Sequence, residues 1–101
     1  MSTYFVSRHP GAVQWAHDHN LHVDHWITHL DTGVVQPGDV VIGTLPMHAA
    51  AAVCAKGARF IALELTLSAA QRGRELAPGE MEAVECRLTE YRVMSVRGET
   101  A

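Results

Sequence analysis

Two short stretches of the chain each combine a hydroxyl group, an imidazole and the start of a predicted helix. The first is SRHPG (residues 7–11), which also carries a guanidinium, and the second is GTLPMH (residues 43–48). Free N–H groups at a helix start attract anions, and the planar fork of arginine matches the oxygens of a phosphate. The composition of both stretches therefore predicts the binding of an anion.

Each of these residues also has an ordinary structural role as an alternative. Ser7 and Thr44 suit helix N-caps, Arg8 suits a solvated surface, and Gly43 suits close packing. The recurrence of the same residue types in two stretches favours a binding role. Neither stretch matches the Walker pattern or GxGxxG, so a standard nucleoside triphosphate or dinucleotide site is not predicted.

A histidine-rich stretch, AHDHNLHVDHWITHLD (residues 16–31), holds five of the seven histidines of the chain and three aspartates. The pattern places His17 and His19 near the end of a helix, where the helix dipole favours histidine without any ligand. His25 and His29 fall on one face of a predicted strand, about 13 Å apart, which is too far to share one metal ion. No metal is therefore predicted, and His29 is instead expected to line a ligand cleft.

Composition bounds the class of protein. The chain has 101 residues, 48% of them apolar, which predicts one globular domain over residues 1–101. The formal net charge of −3 argues against a protein that coats long nucleic acid, because such binding needs a broad basic surface. No apolar run approaches the length of a membrane span and no secretory leader is recognised, so a cytoplasmic protein without membrane contact is expected.

Strand patterns alternate with helical patterns along the chain. The predicted strands cover residues 3–7, 22–29, 40–45 and 59–65, and the predicted helices cover residues 10–20, 46–57 and 78–94, with a turn at 36–39. This alternation predicts an α/β fold, a compact Rossmann-like sandwich with a mainly parallel central sheet flanked by helices. Ligands bind beyond the carboxyl ends of such strands, which is where SRHPG and GTLPMH fall.

Five segments together resemble a small family of accessory proteins from type III CRISPR loci: TYFVSRHPGAVQWA (3–16), HVDHWITHLD (22–31), QPGDVVIGTLP (36–46), CAKGARFIALEL (54–65) and RGREL (72–76). The chain is similar, over most of residues 3–92, to single-domain members of the Csx group, which are related in fold to CARF domains. The resemblance implies a homodimer that binds a cyclic oligoadenylate second messenger, above all cyclic tetra-adenylate. It also implies a ring-nuclease activity that linearises the messenger and switches off the antiviral response.

The two stretches contain groups suited to such a reaction without a metal or other cofactor. A ribose 2′-hydroxyl attacks its own 3′-phosphodiester, Arg8 stabilises the charge that develops, and His9 or His48 takes or gives a proton. The predicted catalytic residues are Ser7, Arg8, His9 and His48. The predicted ligand-binding residues are Pro10, Gly11, His29, Gly43, Thr44, Leu45, and, on a long loop expected to fold over the phosphates, Arg72 and Arg74.

Two other functions stay open from the residues alone. A module that only sequesters the messenger needs the same pocket without an aligned acid or base. A small metal-dependent phosphodiesterase needs the histidines of residues 16–31 to converge on one ion.

Overall fold

A computed structural model describes residues 1–66 and 85–98 of the chain. Strand patterns rich in Val, Ile, Phe and Tyr form the sheet, and alanine-rich segments form the helices. In chain order the elements are β1 (Thr3–Val6), α1 (Pro10–Asp18), β2 (His25–Ile27), a 3₁₀ turn (Thr32–Val34), β3 (Val40–Gly43), α2 (Met47–Ala55), β4 (Arg59–Thr66) and β5 (Glu85–Tyr91).

The described strands form one sheet in the order β2-β1-β3-β4-β5. The first four strands are parallel, and β5 pairs antiparallel with β4. The connection through α1 leads from β1 to β2 on one side of the sheet. The connection through α2 leads from β3 to β4 on the other side. The order therefore reverses between β1 and β3, and this switch point is where open α/β sheets leave a crevice for a ligand.

Alternating side chains of the strands supply two apolar clusters, one on each face of the sheet. On one face, Val6, Val41 and Phe60 pack with Ala50 and Val53 of α2. The small residues of the helix let it lie close to the strands. This face therefore holds α2 against β3 and β4.

The opposite face carries the second cluster. Phe5, Ile42 and Leu63 pack there with Ala12 and Ala16 of α1. The two helices thus cover opposite faces of a mainly parallel sheet, and the predicted Rossmann-like α/β sandwich is confirmed.

The predicted turn at residues 36–39 is also confirmed. Gly38 has φ of +87°, and the Asp39 amide donates to the Gln36 carbonyl oxygen at 3.1 Å, as a type II turn requires. Asp39 itself is only 3% exposed. Its carboxylate accepts hydrogen bonds from the Ser2 amide at 2.8 Å and from the Gln36 amide at 2.9 Å, so it ties the start of β1 to the turn.

The helix predicted over residues 78–94 is wrong for its described part, because residues 85–91 form β5. Leu88 and Tyr91 share one face of a helix, but in the strand they lie on opposite faces. Seven registered pairs with β4, from Phe60↔Tyr91 to Thr66↔Glu85, hold this segment in the sheet through the backbone groups that face β4. Pairing across the sheet outweighs a weak helical pattern, and residues 78–84 lie outside the described residues.

The second strand is shorter than predicted, since β2 covers three residues rather than residues 22–29. Its length is set by β1, which pairs with it only from Tyr4 to Val6. The Asp24 carboxylate accepts a hydrogen bond from the Thr3 amide at 2.8 Å, just before the paired segment. Thr28 and His29 consequently lie beyond the sheet, at its carboxyl edge.

Candidate functional site

A cleft of about 630 Å³ lies at the carboxyl edge of the sheet, where the strand order reverses. The segments that follow β1, β2 and β3 and the first turns of α2 supply its walls. Of the predicted site residues it brings together Ser7, Arg8, His9, His29, Thr44, Leu45 and His48. A larger groove of about 1030 Å³ lies between α2 and residues 90–95 and contains the Arg59–Glu90 ion pair. Among the described residues, it shares only His48 and Ala52 with this cleft.

The other predicted site residues do not line this cleft. Pro10 is the exposed first residue of α1, where its fixed φ suits a helix start, and Gly11 is buried in the same turn. Gly43 ends β3 and lines an adjoining pocket instead. Arg72 and Arg74 lie outside the described residues.

Ser7 positions the segment between β1 and α1, which forms one wall of the cleft. It is 9% exposed, its amide donates to the Ile27 carbonyl oxygen at 3.0 Å, and its Oγ accepts from the His9 amide at 3.1 Å. This local turn fixes the backbone that leads from β1 into α1. The helix N-cap is His9 rather than Ser7, so Ser7 acts here by positioning its neighbour.

His9 carries a buried polar atom that needs a partner. Its carbonyl oxygen accepts from the Ala12 and Val13 amides, which begins α1. Its side-chain Nδ1 is buried and has no hydrogen-bond partner among residues 1–66 and 85–98. A buried, unsatisfied polar group costs about 1–3 kcal/mol. A ligand that reaches this nitrogen would recover that free energy.

Arg8 is exposed at the rim of the same cleft. No described residue forms an ion pair with it. Its guanidinium is thus available to an anion that enters the cleft.

The two helix starts add to the positive potential of the cleft. In the described part of the chain, neither α1 nor α2 has a side-chain N-cap bond or an acidic residue in its first turn. The N-cap of α1 is His9 and that of α2 is Pro46, and both line the cleft. Uncapped helix N-termini carry a partial positive charge, so the site suits an anion.

Three imidazoles surround the cleft, from His9, His29 and His48. The last two are exposed, and His48 is the second residue of α2. Within the described residues, no group of three or more His, Cys, Asp or Glu side chains is arranged to hold a metal ion. This edge of the sheet therefore places three imidazoles around one cleft.

The histidine-rich stretch is used mainly for stacking on aromatic rings. The ring of His17 stacks on Trp26 with a centroid distance of 4.0 Å, and that of His19 stacks on Trp15 at 4.3 Å. His25 stacks on Tyr4 at 4.8 Å. These three imidazoles therefore pack at the carboxyl end of α1 and on β2, away from the cleft.

Sequence reasoning missed several residues of this region. Thr28, Leu30 and Thr32 line the cleft. The strand predicted over residues 22–29 runs past the real end of β2 at Ile27, so the loop that begins at residue 28 was not recognised. Tyr91 and Glu64, on β5 and β4, were also missed. A signal for Tyr91 existed in the alternation of Thr89 and Tyr91 with Leu88, which is typical of a strand.

Glu64 is the centre of a polar cluster on β4 and β5. It accepts hydrogen bonds from the hydroxyls of Thr89 and Tyr91, both at 2.5 Å, and from Arg87 Nε at 3.3 Å. The Thr89 and Tyr91 hydrogen bonds hold the pKa of Glu64 below its usual value, and burial opposes them only in part. The hydrogen bond to Glu64 in turn raises the pKa of Tyr91. The cluster therefore holds an ionised carboxylate with three fixed neighbours.

The fold is an open α/β domain with a cleft at its switch point. Residues 4–94 match a family model described as "Putative CRISPR-associated protein (Cas_VVA1548)". The chain therefore belongs to this CRISPR-associated family. No curated protein and no solved structure gives a significant match. In the described residues, no helix combines the length and apolar character needed to cross a bilayer.

Proposed function

We propose that this CRISPR-associated protein is a ring nuclease of type III antiviral defence, which acts in the cytoplasm as a homodimer. Its substrate is a cyclic oligoadenylate messenger, and cyclic tetra-adenylate is the first ring to test. The observation that supports the proposal is the cleft at the switch point. It gathers Arg8, three imidazoles and two uncapped helix starts around one volume of about 630 Å³.

The proposed reaction is an internal transfer at phosphorus. The ribose O2′ forms a bond to the phosphorus of its own 3′-phosphodiester, and the bond from phosphorus to O5′ of the next nucleotide breaks. The proton of the 2′-hydroxyl passes to a base, and the departing O5′ takes a proton from an acid. The products are a 2′,3′-cyclic phosphate end and a 5′-hydroxyl end, so no water is consumed.

His9 and His48 are the proton carriers of this proposal. An imidazole can either take or give a proton, so each histidine can serve as base or acid. Each lies on a different wall of the cleft, at the start of a different helix. A phosphodiester held between the two walls would have one imidazole near each side. Such acid–base assistance contributes a factor of about 10²–10⁴ in rate.

Arg8 and the amides of the helix starts stabilise the charged phosphorane in this proposal. The amides need no rearrangement at the moment of reaction, because α1 and α2 are held by the two apolar clusters. Holding the 2′-hydroxyl in line with the scissile bond supplies several further kcal/mol.

The direct test is incubation with radiolabelled cyclic tetra-adenylate, with and without EDTA. The expected result is a linear product with a 2′,3′-cyclic phosphate end, formed at the same rate in both samples. Tight binding without cleavage would instead identify a sequestering module. Cleavage that EDTA abolishes would identify a metal-dependent phosphodiesterase. Absence of both binding and cleavage would refute the proposed substrate.

A further inference from the structure

A second, apolar pocket of about 360 Å³ adjoins the cleft. Thr44 and Leu45 line both, so the two volumes share the wall that follows β3. The remaining lining comes mainly from α2, β4 and β5 and is almost entirely apolar: Met47, Ala50, Phe60, Ala62, Leu63, Tyr91 and Val93.

The rim of this pocket exposes large side chains to solvent. Met47 is 75% exposed and Tyr91 is 43% exposed. Neither belongs to the buried core, although Phe60, on the floor of the pocket, does. Two such side chains beside an apolar floor form a surface that gains free energy when a flat apolar group covers it.

The ring of Tyr91 is fixed although it is partly exposed. Its hydroxyl donates to Glu64 Oε2, and Glu64 is itself held by Thr89 and Arg87. The backbone of Tyr91 pairs with Phe60 in the sheet. A ring fixed at both ends is a stacking surface that loses little conformational entropy when a ligand binds.

We propose that this pocket receives a nucleobase of the ligand whose phosphate lies in the cleft, stacked on Tyr91. The inference rests on the proposed function and extends it from the phosphate to the base. A nucleotide carries an anion and a flat π-system on one sugar, and the structure offers an anion cleft and an apolar pocket on either side of Thr44 and Leu45. Aromatic side chains bind bases in this way in many nucleic-acid-binding proteins.

The test uses a ring that cannot be cleaved, in which fluorine replaces the 2′-hydroxyls and 2-aminopurine replaces one adenine. Stacking on tyrosine quenches 2-aminopurine, so the wild-type protein should quench the probe when it binds. Tyr91→Ala should weaken binding about tenfold and remove the quenching. Tyr91→Phe should lose less affinity than Tyr91→Ala, because the ring remains although its hydroxyl no longer anchors it to Glu64.

Met47→Ala tests the opposite rim and should also weaken binding. Met94→Ala is its matched control, since Met94 is 69% exposed but does not line this pocket. Circular dichroism and sedimentation of each variant check folding and assembly.

The outcomes separate this inference from the proposed function. A wild-type protein that binds no ring refutes both. A ring that binds with equal affinity and equal quenching to wild type and Tyr91→Ala refutes the base pocket alone. A change of oligomeric state in Tyr91→Ala or Met47→Ala, with affinity and quenching intact, would also refute it and would assign this face to a second copy of the chain.

Discussion

Gly43 lies so close to Val6 that a Cβ atom on Gly43 would sit 2.1 Å from the Val6 carbonyl oxygen. The two residues are register partners at the ends of β3 and β1, and Gly43 has φ of +135°. The next amide, of Thr44, donates to the same carbonyl oxygen at 3.3 Å. This contact brings the segments after β1 and β3 together, and so it builds the cleft from two distant parts of the sequence.

Replacing Gly43 by alanine should therefore destabilise the protein and disturb ligand binding together. Its backbone conformation alone costs a residue with a Cβ about 1–3 kcal/mol, and the obstructing atom is backbone that cannot rotate away. For a small domain, each kcal/mol lowers Tm by about 4–8 °C. Thermal unfolding of Gly43→Ala measures this effect. Gly98→Ala is the control, because a Cβ there meets nothing within 4 Å, and an equal Tm for the two variants would contradict the argument.

The sequence was sufficient to predict the parallel sheet, the helices α1 and α2, and the position of SRHPG and GTLPMH at the carboxyl edge of the sheet. Each of these depends on local patterns, such as the apolar run of β3 followed by the alanine-rich α2. The meeting of these two stretches in one cleft was also predictable, because the carboxyl ends of parallel strands lie at the same edge of a sheet.

The rest depends on contacts between distant residues. The pairing of β5 with β4 makes a strand of a segment whose sequence pattern is helical. The helix predicted there hid the pocket that Tyr91 lines. The stacking of His17 on Trp26 joins α1 to β2, and no spacing within the histidine-rich stretch reveals it. The close approach of Gly43 to Val6 is likewise a property of two strands rather than of one.

Arg8 is expected to be the largest single electrostatic contributor to ring cleavage. It lines the cleft and has no ion-pair partner in the described residues, so its guanidinium can face the phosphorane. Arg8→Ala should lower kcat by a factor of about 10²–10³, the effect of removing one donor to a developing charge. The control is Arg97→Ala, at an exposed position that does not line the cleft. Small and equal losses in single-turnover assays of both variants would exclude Arg8 from the mechanism.

His9 and His48 should each control one limb of the pH–rate profile. A base must be deprotonated and an acid protonated, so a reaction that uses both has a bell-shaped dependence of kcat on pH. His9→Ala and His48→Ala should each lower kcat by a factor of about 10²–10⁴ and remove a different limb of the bell. Cleavage rates between pH 5 and 9 measure this. His22→Ala, at an exposed site outside the cleft, is the control, and an unchanged bell in either test variant would remove that histidine from proton transfer.

Asp39 should make the stability of the protein depend on acid pH. The amides of Gln36 and Ser2 hold the pKa of this carboxyl below its usual value, with smaller help from the N-terminal amino group and His25. A folded-state pKa below the unfolded one means that the stabilisation is complete above about pH 4 and is lost as pH falls through the folded-state value.

Replacing Asp39 by asparagine should thus lower the free energy of unfolding at pH 7 and flatten its decline below about pH 4. Urea denaturation at a series of pH values measures both effects. Asp18→Asn is the matched control, because Asp18 is exposed and, within residues 1–66 and 85–98, accepts a hydrogen bond only from the Gln14 side chain. Parallel stability curves for wild type and Asp39→Asn would show that the buried carboxylate does not act in this way.

One ring should bind to two copies of the chain. Cyclic tetra-adenylate has four phosphates, whereas Arg8 is the one guanidinium that lines each cleft within residues 1–66 and 85–98. A twofold ligand on a twofold axis lets SRHPG and GTLPMH of each protomer meet equivalent phosphates, so a dimer doubles the donors without any new sequence. The net charge of −3 per chain offers no diffuse basic surface that could replace them.

Titration calorimetry with the non-cleavable ring should therefore give one ligand per two chains, and sedimentation should show a dimer before the ligand is added. A monomer that binds one ring per chain would contradict the twofold arrangement, and in that case one cleft and its adjoining pocket would have to hold the whole ring.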